Sequence, residues 1–521
     1  MERQYKYQAD IPQRYNITTK VVDEMVEKGL GDKVAVYYKD KTYTYSEMQS
    51  LINKVGNALR ILGVHMEERV ILVMYDSPEA MASFYGAMKI GAIPVPVNYM
   101  YTMHDYRYLL NNSRARTVIA DADFIEEIEG FKEKLLYLEN TIVVGEKSRA
   151  YHISFHDIVD RCSDKLDAAY TTFEDTAFWN YTSGSTGFPK AAVHLQHDVF
   201  ACIDSYAKGI LGINHDDILF SASKFFFAYG LGNSFIYPLA TGASVVLLPE
   251  RPRPETIFST IQRYRPTVFF GVPTLYANML EVEDAEKKYD ISSLRICTSA
   301  GEALPKEIFA EWKERFGLEV LDGIGSTELL HIFISNRPGD IKPGSSGKLV
   351  PGYRARIVND KGKEVPDGKV GTLQVEGEST FAYYYRHHDK TRSSMLGEWF
   401  DTGDRYYRDA EGYYYYRGRG DDMLKVGGIW VSPIEVEDTL ISHPAVLEAA
   451  VVAKHDEHYL IKPKAYVVLR KGYHPSEELA KDIQAFVKKS IAPYNYPRWI
   501  EFIKKLPKTA TGKIQRYKLR E

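Results

Sequence analysis

Short apolar runs alternate with helical stretches through the first half of this chain, and that alternation restricts the architecture more than any other feature. Runs with strand character fall at 70–74, 93–97, 117–120, 141–144, 218–221, 244–248, 267–271 and 294–298. A helix reads at 78–90, with helical stretches between most of the other runs. A chain that returns through a helix after each strand lays its strands parallel, so the sequence predicts an α/β protein of layered parallel sheets. Residues 35–45 alternate around Lys39-Asp40-Lys41 and read as a hairpin. From about residue 344 the texture changes. Runs at 348–358 and 371–376, with a turn at 359–362, predict a small β-barrel-like subdomain ending near 417. The charged, glycine-rich run Arg417-Gly-Arg-Gly-Asp-Asp422 reads as a linker. Helices at 433–441 and 476–490 and strands at 445–453, 464–469 and 499–502 make a small α+β domain. The expected division is 1–417, a hinge at 418–422, and 423–521.

A chain of 521 residues is too long for one simple core, which agrees with that division. The net charge of −4 argues against nucleic acid as the main partner. No apolar run is long enough for a membrane span, and residues 1–10 lack the apolar core of a signal peptide. The three cysteines, Cys162, Cys202 and Cys297, show no metal-binding spacing and read as inert thiols of a cytoplasmic protein. Tyrosine is frequent, in runs such as 383–385 and 413–416. These runs are taken as strand preference, with no chemistry assigned to them as a group.

One decamer points to chemistry. Tyr181-Thr-Ser-Gly-Ser-Thr-Gly-Phe-Pro-Lys190 holds two glycines and four hydroxyl side chains and ends in Pro-Lys. Glycines let backbone N–H groups approach an anion, hydroxyls donate, and the lysine adds a positive charge. The phosphate tail of a nucleotide is the natural ligand, held by Thr182, Ser183, Gly184, Ser185, Thr186, Gly187 and Lys190. The spacing is not that of a Walker A loop, which needs Gly-Lys-Ser/Thr opening a helix.

This loop resembles the phosphate loop of the adenylate-forming superfamily of acyl-CoA synthetases, peptide-synthetase adenylation domains and luciferases. Five further segments repeat the resemblance in order. Ser299-Ala-Gly-Glu-Ala-Leu-Pro305 follows a strand, and the resemblance sets Gly301, Glu302 and Ala303 against the adenine. Asp322-Gly-Ile-Gly-Ser-Thr-Glu328 is similar to the family's glycine-rich turn ending in Thr-Glu. There Asp322 would accept from the adenine amine, Gly323 and Ile324 would lie against the base, Thr327 would donate to the α-phosphate, and Glu328 would hold Mg²⁺. Many relatives carry an aromatic residue where this chain has Ile324. In Trp399-Phe-Asp-Thr-Gly-Asp404, Asp404 resembles the residue that accepts from both ribose hydroxyls. In Tyr416–Gly428, Arg419 would contact ribose or phosphate, Asp421 would be the hinge, and Gly427 and Gly428 would let a pantetheine arm pass. Lys513, in Pro507-Lys-Thr-Ala-Thr-Gly-Lys513, resembles the catalytic lysine of a mobile C-terminal domain.

The resemblance implies a two-step reaction with ATP, Mg²⁺ and coenzyme A: acyl-adenylate formation, then transfer of the acyl group to a thiol. For the acid, Phe225-Phe-Phe-Ala-Tyr-Gly-Leu-Gly-Asn233 falls where relatives build the pocket wall. Phe225 and Phe226 read as core. Ala228, Tyr229 and Gly230 are the expected pocket residues, with Leu330, His331 and Ile332 directly after Glu328. An aromatic wall beside a small residue suits a flat ring, and with Gly397-Glu-Trp399 these segments look most like the benzoate–CoA ligase branch. The expected partners are a small aromatic carboxylate, ATP and CoA, and the resemblance is compatible with a homodimer. A medium-chain or cyclic acid–CoA ligase and a free-standing enzyme loading a carrier protein are the alternatives. The Phe225–Tyr229 region lacks the aspartate that amino-acid-activating relatives carry.

Overall fold

The computed structural model describes residues 14–130, 132–146, 149–182, 189–420, 423–426, 429–456, 461–491, 495–508 and 514–520. A nine-stranded sheet forms the centre. Its order is Lys348–Leu349, Ile332–Ser335, Val320–Gly325, Ile296–Ser299, Val268–Gly271, Ile218–Ser221, Ser244–Leu247, Val34–Tyr38 and Lys41–Thr44. The strands from Val34–Tyr38 to Val320–Gly325 are parallel to their neighbours, and antiparallel strands flank them at both edges. A second sheet, Ile93–Pro96, Arg69–Val73, Thr117–Asp121, Asn140–Val144 and Ile153–Ser154, is parallel throughout. The α/β layering and the 35–45 hairpin read from the sequence are both present.

Local sequence explains the helices between the layers. Helix Tyr45–Ile61 starts at a capping box made by Thr44 and Glu47, and it buries Tyr45, Met48, Ile52, Val55 and Leu59 at helical spacing. Helix Pro78–Lys89 begins at the Ser77 cap and is buried nearly all round. Its one cation, Lys89, reaches Asp23 at 2.7 Å and Asn53 at 2.7 Å, which offsets the cost of desolvating the ammonium.

A third sheet of three antiparallel strands lies beside the second. Its order is Tyr383–Tyr384, Lys190–Leu195 and Thr176–Thr182. The decamer therefore connects two antiparallel strands, not the carboxyl end of a parallel strand to a helix. Further along, Arg354–Val358, Gly371–Glu376, Trp399–Arg408 and Met395–Leu396 pair in that order, and Tyr414–Arg419 joins them on Trp399–Arg408. The expected linker thus begins later than its composition suggests. Arg417, Gly418 and Arg419 finish a strand, where Asp404 pairs with Arg419 and Arg405 with Gly418. The expected strand 348–358 is likewise two strands, with Gly352 at φ +89° between them.

The last domain packs helices Pro433–Ile441 and Glu477–Ser490 on the sheet Val446–His455, Ile461–Leu469 and Trp499–Phe502. Its core contains Val436, Leu440, Val446, Val451, Val467, Ile483 and Val487.

Candidate active site

The three-stranded sheet organises the site from one face. Side chains two residues apart in a strand share a face, so Lys190, Ala192 and His194 point the same way. Opposite them in register stand Thr182, Asn180 and Phe178 on one side, and Tyr384 faces Ala192 on the other. Thr182 and Lys190 are themselves a cross-strand pair, so the two ends of the phosphate loop are held together. Ser183, Gly184, Ser185, Thr186 and Gly187 lie outside the described residues, as do Asp421, Gly427, Gly428 and Lys513. Burial lowers the pKa of Lys190 first, Lys390 lowers it further, and Glu328 opposes them.

The residues expected on the adenine side come together at the ends of two neighbouring strands. Ser299 pairs with Asp322 in parallel register. Gly301 follows with φ +95°, and a Cβ there would meet only open space. Asp322 is buried, and burial raises its carboxyl to about 8. Its Oδ2 accepts from the Leu304 N–H at 3.3 Å, while among the described residues no hydrogen-bond partner is found for the buried Oδ1. Buried acceptors are rarely left unpaired, and an adenine amine would satisfy this one. Glu302 and Ala303 are half-buried beside it.

The segment Asp322–Gly325 is not the turn that the sequence suggested. It is the end of strand Val320–Gly325, paired with Ile332–Ser335. Close packing explains its glycines: a Cβ on Gly323 would come within 2.8 Å of the Ile334 carbonyl oxygen, and one on Gly325 within 2.5 Å of that of His331. Ile324 is half-buried between them. The turn proper is Thr327–Leu329, and Leu330 leaves it at φ +65°.

That turn is pinned from outside. His194 Nε2 lies 2.8 Å from the Thr327 carbonyl oxygen, and its Nδ1 lies 2.8 Å from Asp198 Oδ2. The Phe381 N–H donates to the Glu328 carbonyl at 2.7 Å, and Ser379 Oγ donates to that of Leu329 at 2.8 Å. The Tyr384 phenol donates to Glu328 Oε1 at 2.7 Å. The tyrosine runs do fall in strands, and Tyr384 has in addition a specific partner in the site. Burial and then the Glu328 charge hold its pKa far above the usual value, so the phenol stays a donor.

The residues expected at the acid pocket lie close to one another in the fold. Phe225 and Phe226 are core, and Ala228 is buried beside the half-buried Tyr229. Tyr229 Oη lies 2.7 Å from Thr298 Oγ1. Gly230 serves packing, since a Cβ there would fall onto the Lys224 carbonyl oxygen. His331 is 2% exposed and sits 5.4 Å from the Tyr229 ring and 4.7 Å from that of Tyr237. Its Nε2 donates to the Tyr229 carbonyl at 3.3 Å and Asn233 Oδ1 at 3.1 Å. Burial lowers its pKa to about 3, so the ring is neutral. Leu330 and Ile332 are buried on either side. Sequence reasoning missed Thr298, Asn233, His194, Asp198 and Tyr384. Of these, Asn233 lay inside the segment singled out for the acid pocket, and Tyr384 lay in a tyrosine run to which no chemistry was assigned.

Of the residues expected at the ribose, Arg419 Nη1 donates to Asp404 Oδ1 at 3.1 Å. Among the described residues no group of three or more His, Cys, Asp or Glu could cage a metal ion. A single carboxylate, Glu328, close enough to Lys190 to influence it, suits an ion that keeps most of its ligands as water and phosphate oxygens, as Mg²⁺ does.

The comparisons with known proteins agree with this geometry. The family described as "AMP-binding enzyme" matches residues 23–385, and "AMP-binding enzyme C-terminal domain" matches 435–513. A benzoate–CoA ligase of Thauera aromatica is 48% identical over 98% of this chain and 96% of its own. A 4-hydroxybenzoate–CoA/benzoate–CoA ligase of Rhodopseudomonas palustris is 42% identical over 97% of this chain and 94% of its own. Among solved structures, an anthranilate CoA ligase in complex with anthranoyl-AMP superposes with a TM-score of 0.95 at 44% identity, covering 98% of both chains. A benzoate CoA ligase from Burkholderia xenovorans gives 0.90 at 44% identity, covering 97% of this chain and all of that one. The chain therefore belongs to the adenylate-forming, AMP-binding enzyme family, on the branch that holds the benzoate–CoA ligases.

Proposed function

We propose that this enzyme joins an aromatic carboxylic acid, benzoate or a close analogue, to coenzyme A using ATP. One observation carries the reading. Thr298 and Ser299 are consecutive on one strand, with Thr298 fixing Tyr229 of the acid pocket and Ser299 paired to Asp322 of the adenine edge. The acid wall and the nucleotide edge are thus built on the same backbone, and Thr327–Glu328 is joined to His331 through two residues. An acid lying against Tyr229 and His331 would present its carboxylate to the α-phosphate.

In the first step an acid oxygen attacks the α-phosphorus and pyrophosphate leaves. The protein's part is orientation and charge. Lys190 and the loop would hold the β- and γ-phosphates, Thr327 would donate to the α-phosphate, and Asp404 with Arg419 would hold the ribose. Glu328 would hold Mg²⁺, which would supply neutralisation of the phosphate charge. Lys513 would bridge the acid carboxylate and the α-phosphate. In the second step a thiolate attacks the acyl carbon and AMP leaves, with Gly427 and Gly428 lining the pantetheine path after rotation at Asp421. The neutral His331 and the aromatic rings favour a flat apolar ring over an ammonium-bearing acid, because among the described pocket residues no carboxylate faces them.

Pyrophosphate release with ATP and benzoate in the absence of CoA tests this directly. The expected result is benzoate-dependent release that Lys513→Gln lowers about a thousandfold, the scale of one ~4 kcal/mol charge contact made in the transition state. Release that is independent of the acid, or unchanged in Lys513→Gln, would contradict it.

A further inference from the structure

Tyr384 stands between the two charges expected at the phosphates. Its Oη donates to Glu328 Oε1 at 2.7 Å, and its ring centroid lies 5.9 Å from Lys190 Nζ. The residue is 4% exposed and is paired in register with Ala192, two residues along the strand from Lys190.

The backbone around Glu328 is already fixed. His194, Phe381 and Ser379 take the carbonyls of Thr327, Glu328 and Leu329 in turn. A glutamate on a fixed backbone still has three free torsions, so its carboxylate samples several positions. Among the described residues, Tyr384 is the side chain that hydrogen-bonds this carboxylate. It comes from the strand hydrogen-bonded to the one that begins at Lys190, so it ties the carboxylate to the frame of the phosphate loop.

We infer that Tyr384 is a positioning residue for the metal-holding carboxylate: it occupies one oxygen of Glu328 and turns the other toward the ion that accompanies ATP. The inference rests on the reading that Glu328 holds Mg²⁺. Partners that orient a ligating carboxylate typically contribute about ten- to a hundredfold in metal affinity or activity.

The test compares Tyr384→Phe with Tyr383→Phe, whose side chain is 43% exposed. Two quantities are read: Mn²⁺ affinity of the enzyme–ATP complex by electron paramagnetic resonance, and the Mg²⁺ concentration giving half-maximal pyrophosphate release. Tyr384→Phe is expected to weaken Mn²⁺ binding and to raise the Mg²⁺ requirement, each about tenfold or more, while Tyr383→Phe matches wild type. Tyr384→His, which keeps a ring donor, should recover part of the affinity. In a Glu328→Gln background, Tyr384→Phe should add nothing further. Wild-type metal dependence in Tyr384→Phe, absence of any recovery in Tyr384→His, or full additivity with Glu328→Gln would overturn the inference. A wild-type enzyme whose pyrophosphate release needs no divalent ion would instead overturn the role of Glu328 itself, and this inference with it.

Discussion

Thr298 holds two tyrosines at once. Its hydroxyl meets Tyr229 Oη at 2.7 Å, and its carbonyl accepts from Tyr276 Oη at 2.9 Å. Only the first of these contacts involves the side chain, so Thr298→Val releases Tyr229 and leaves Tyr276 bound. One such hydrogen bond contributes ~1 kcal/mol, about fivefold. The expected outcome is a KM for the aromatic acid about fivefold higher with the KM for ATP unchanged; equal changes in both would contradict the assignment of Tyr229 to the acid pocket. Asp322 gives a second prediction. Its carboxyl is raised from 3.8 to about 8 by burial, so the folded state holds a proton that the unfolded chain releases. That contribution is full below pH 3.8 and is lost as pH rises toward about 8. Thermal melts of wild type and Asp322→Asn across this range should therefore show wild type losing stability with rising pH relative to the variant. Parallel curves would mean that the buried carboxyl is already ionised.

The strand Val320–Gly325 shows what local sequence conceals. Two glycines in four residues read as a turn, but the structure uses them to let strand Ile332–Ser335 approach. Gly325→Ala should cost ~1–3 kcal/mol, because its Cβ would meet the His331 carbonyl oxygen at 2.5 Å, and backbone has no rotamer to yield. Since that carbonyl precedes Ile332 and follows Leu330, the same substitution should also weaken acid binding. A melting temperature equal to wild type would contradict the packing account. Other elements were legible because the signal was local: the alternation at 35–45 gave the hairpin, and the helix read from residue 78 does start at Pro78, behind a Ser77 cap. The three-stranded sheet was not. Thr176–Thr182 and Lys190–Leu195 flank the decamer, whose composition drew attention to the loop instead of its supports. Tyr384 lies within a tyrosine run whose strand preference says nothing about an oxygen 56 residues away in sequence. His194 reaches Thr327 across 133 residues, and no periodicity encodes that contact.

At the scale of the whole molecule, the contacts between the C-terminal domain and the large domain among the described residues include Ser432 Oγ donating to the Arg417 carbonyl at 2.6 Å and several exposed polar pairs. Ser442 Oγ donates to Glu307 Oε1 at 3.0 Å, Arg470 Nη1 reaches Glu281 at 3.4 Å, and Lys471 reaches Glu283 at 3.8 Å. Exposed pairs of this kind contribute ~0–1 kcal/mol each, which suits the domain rotation proposed for the second step. Glu281→Lys combined with Glu283→Lys should shift the interdomain distance distribution seen by fluorescence transfer between labels on the two domains, with the melting temperature within a few degrees of wild type. An unchanged distribution would show that these pairs do not hold the arrangement. The central claim joins both domains: a pocket walled by Tyr229, Ala228 and His331 delivers an aromatic carboxylate to ATP and then to CoA. AMP formation with MgATP, CoA and a panel of benzoate, hydroxy- and aminobenzoates, cyclohexanecarboxylate, phenylacetate, hexanoate and acetate tests it most directly. The account predicts the highest kcat/KM for benzoate or a ring-substituted benzoate. A preference for hexanoate or acetate would contradict it.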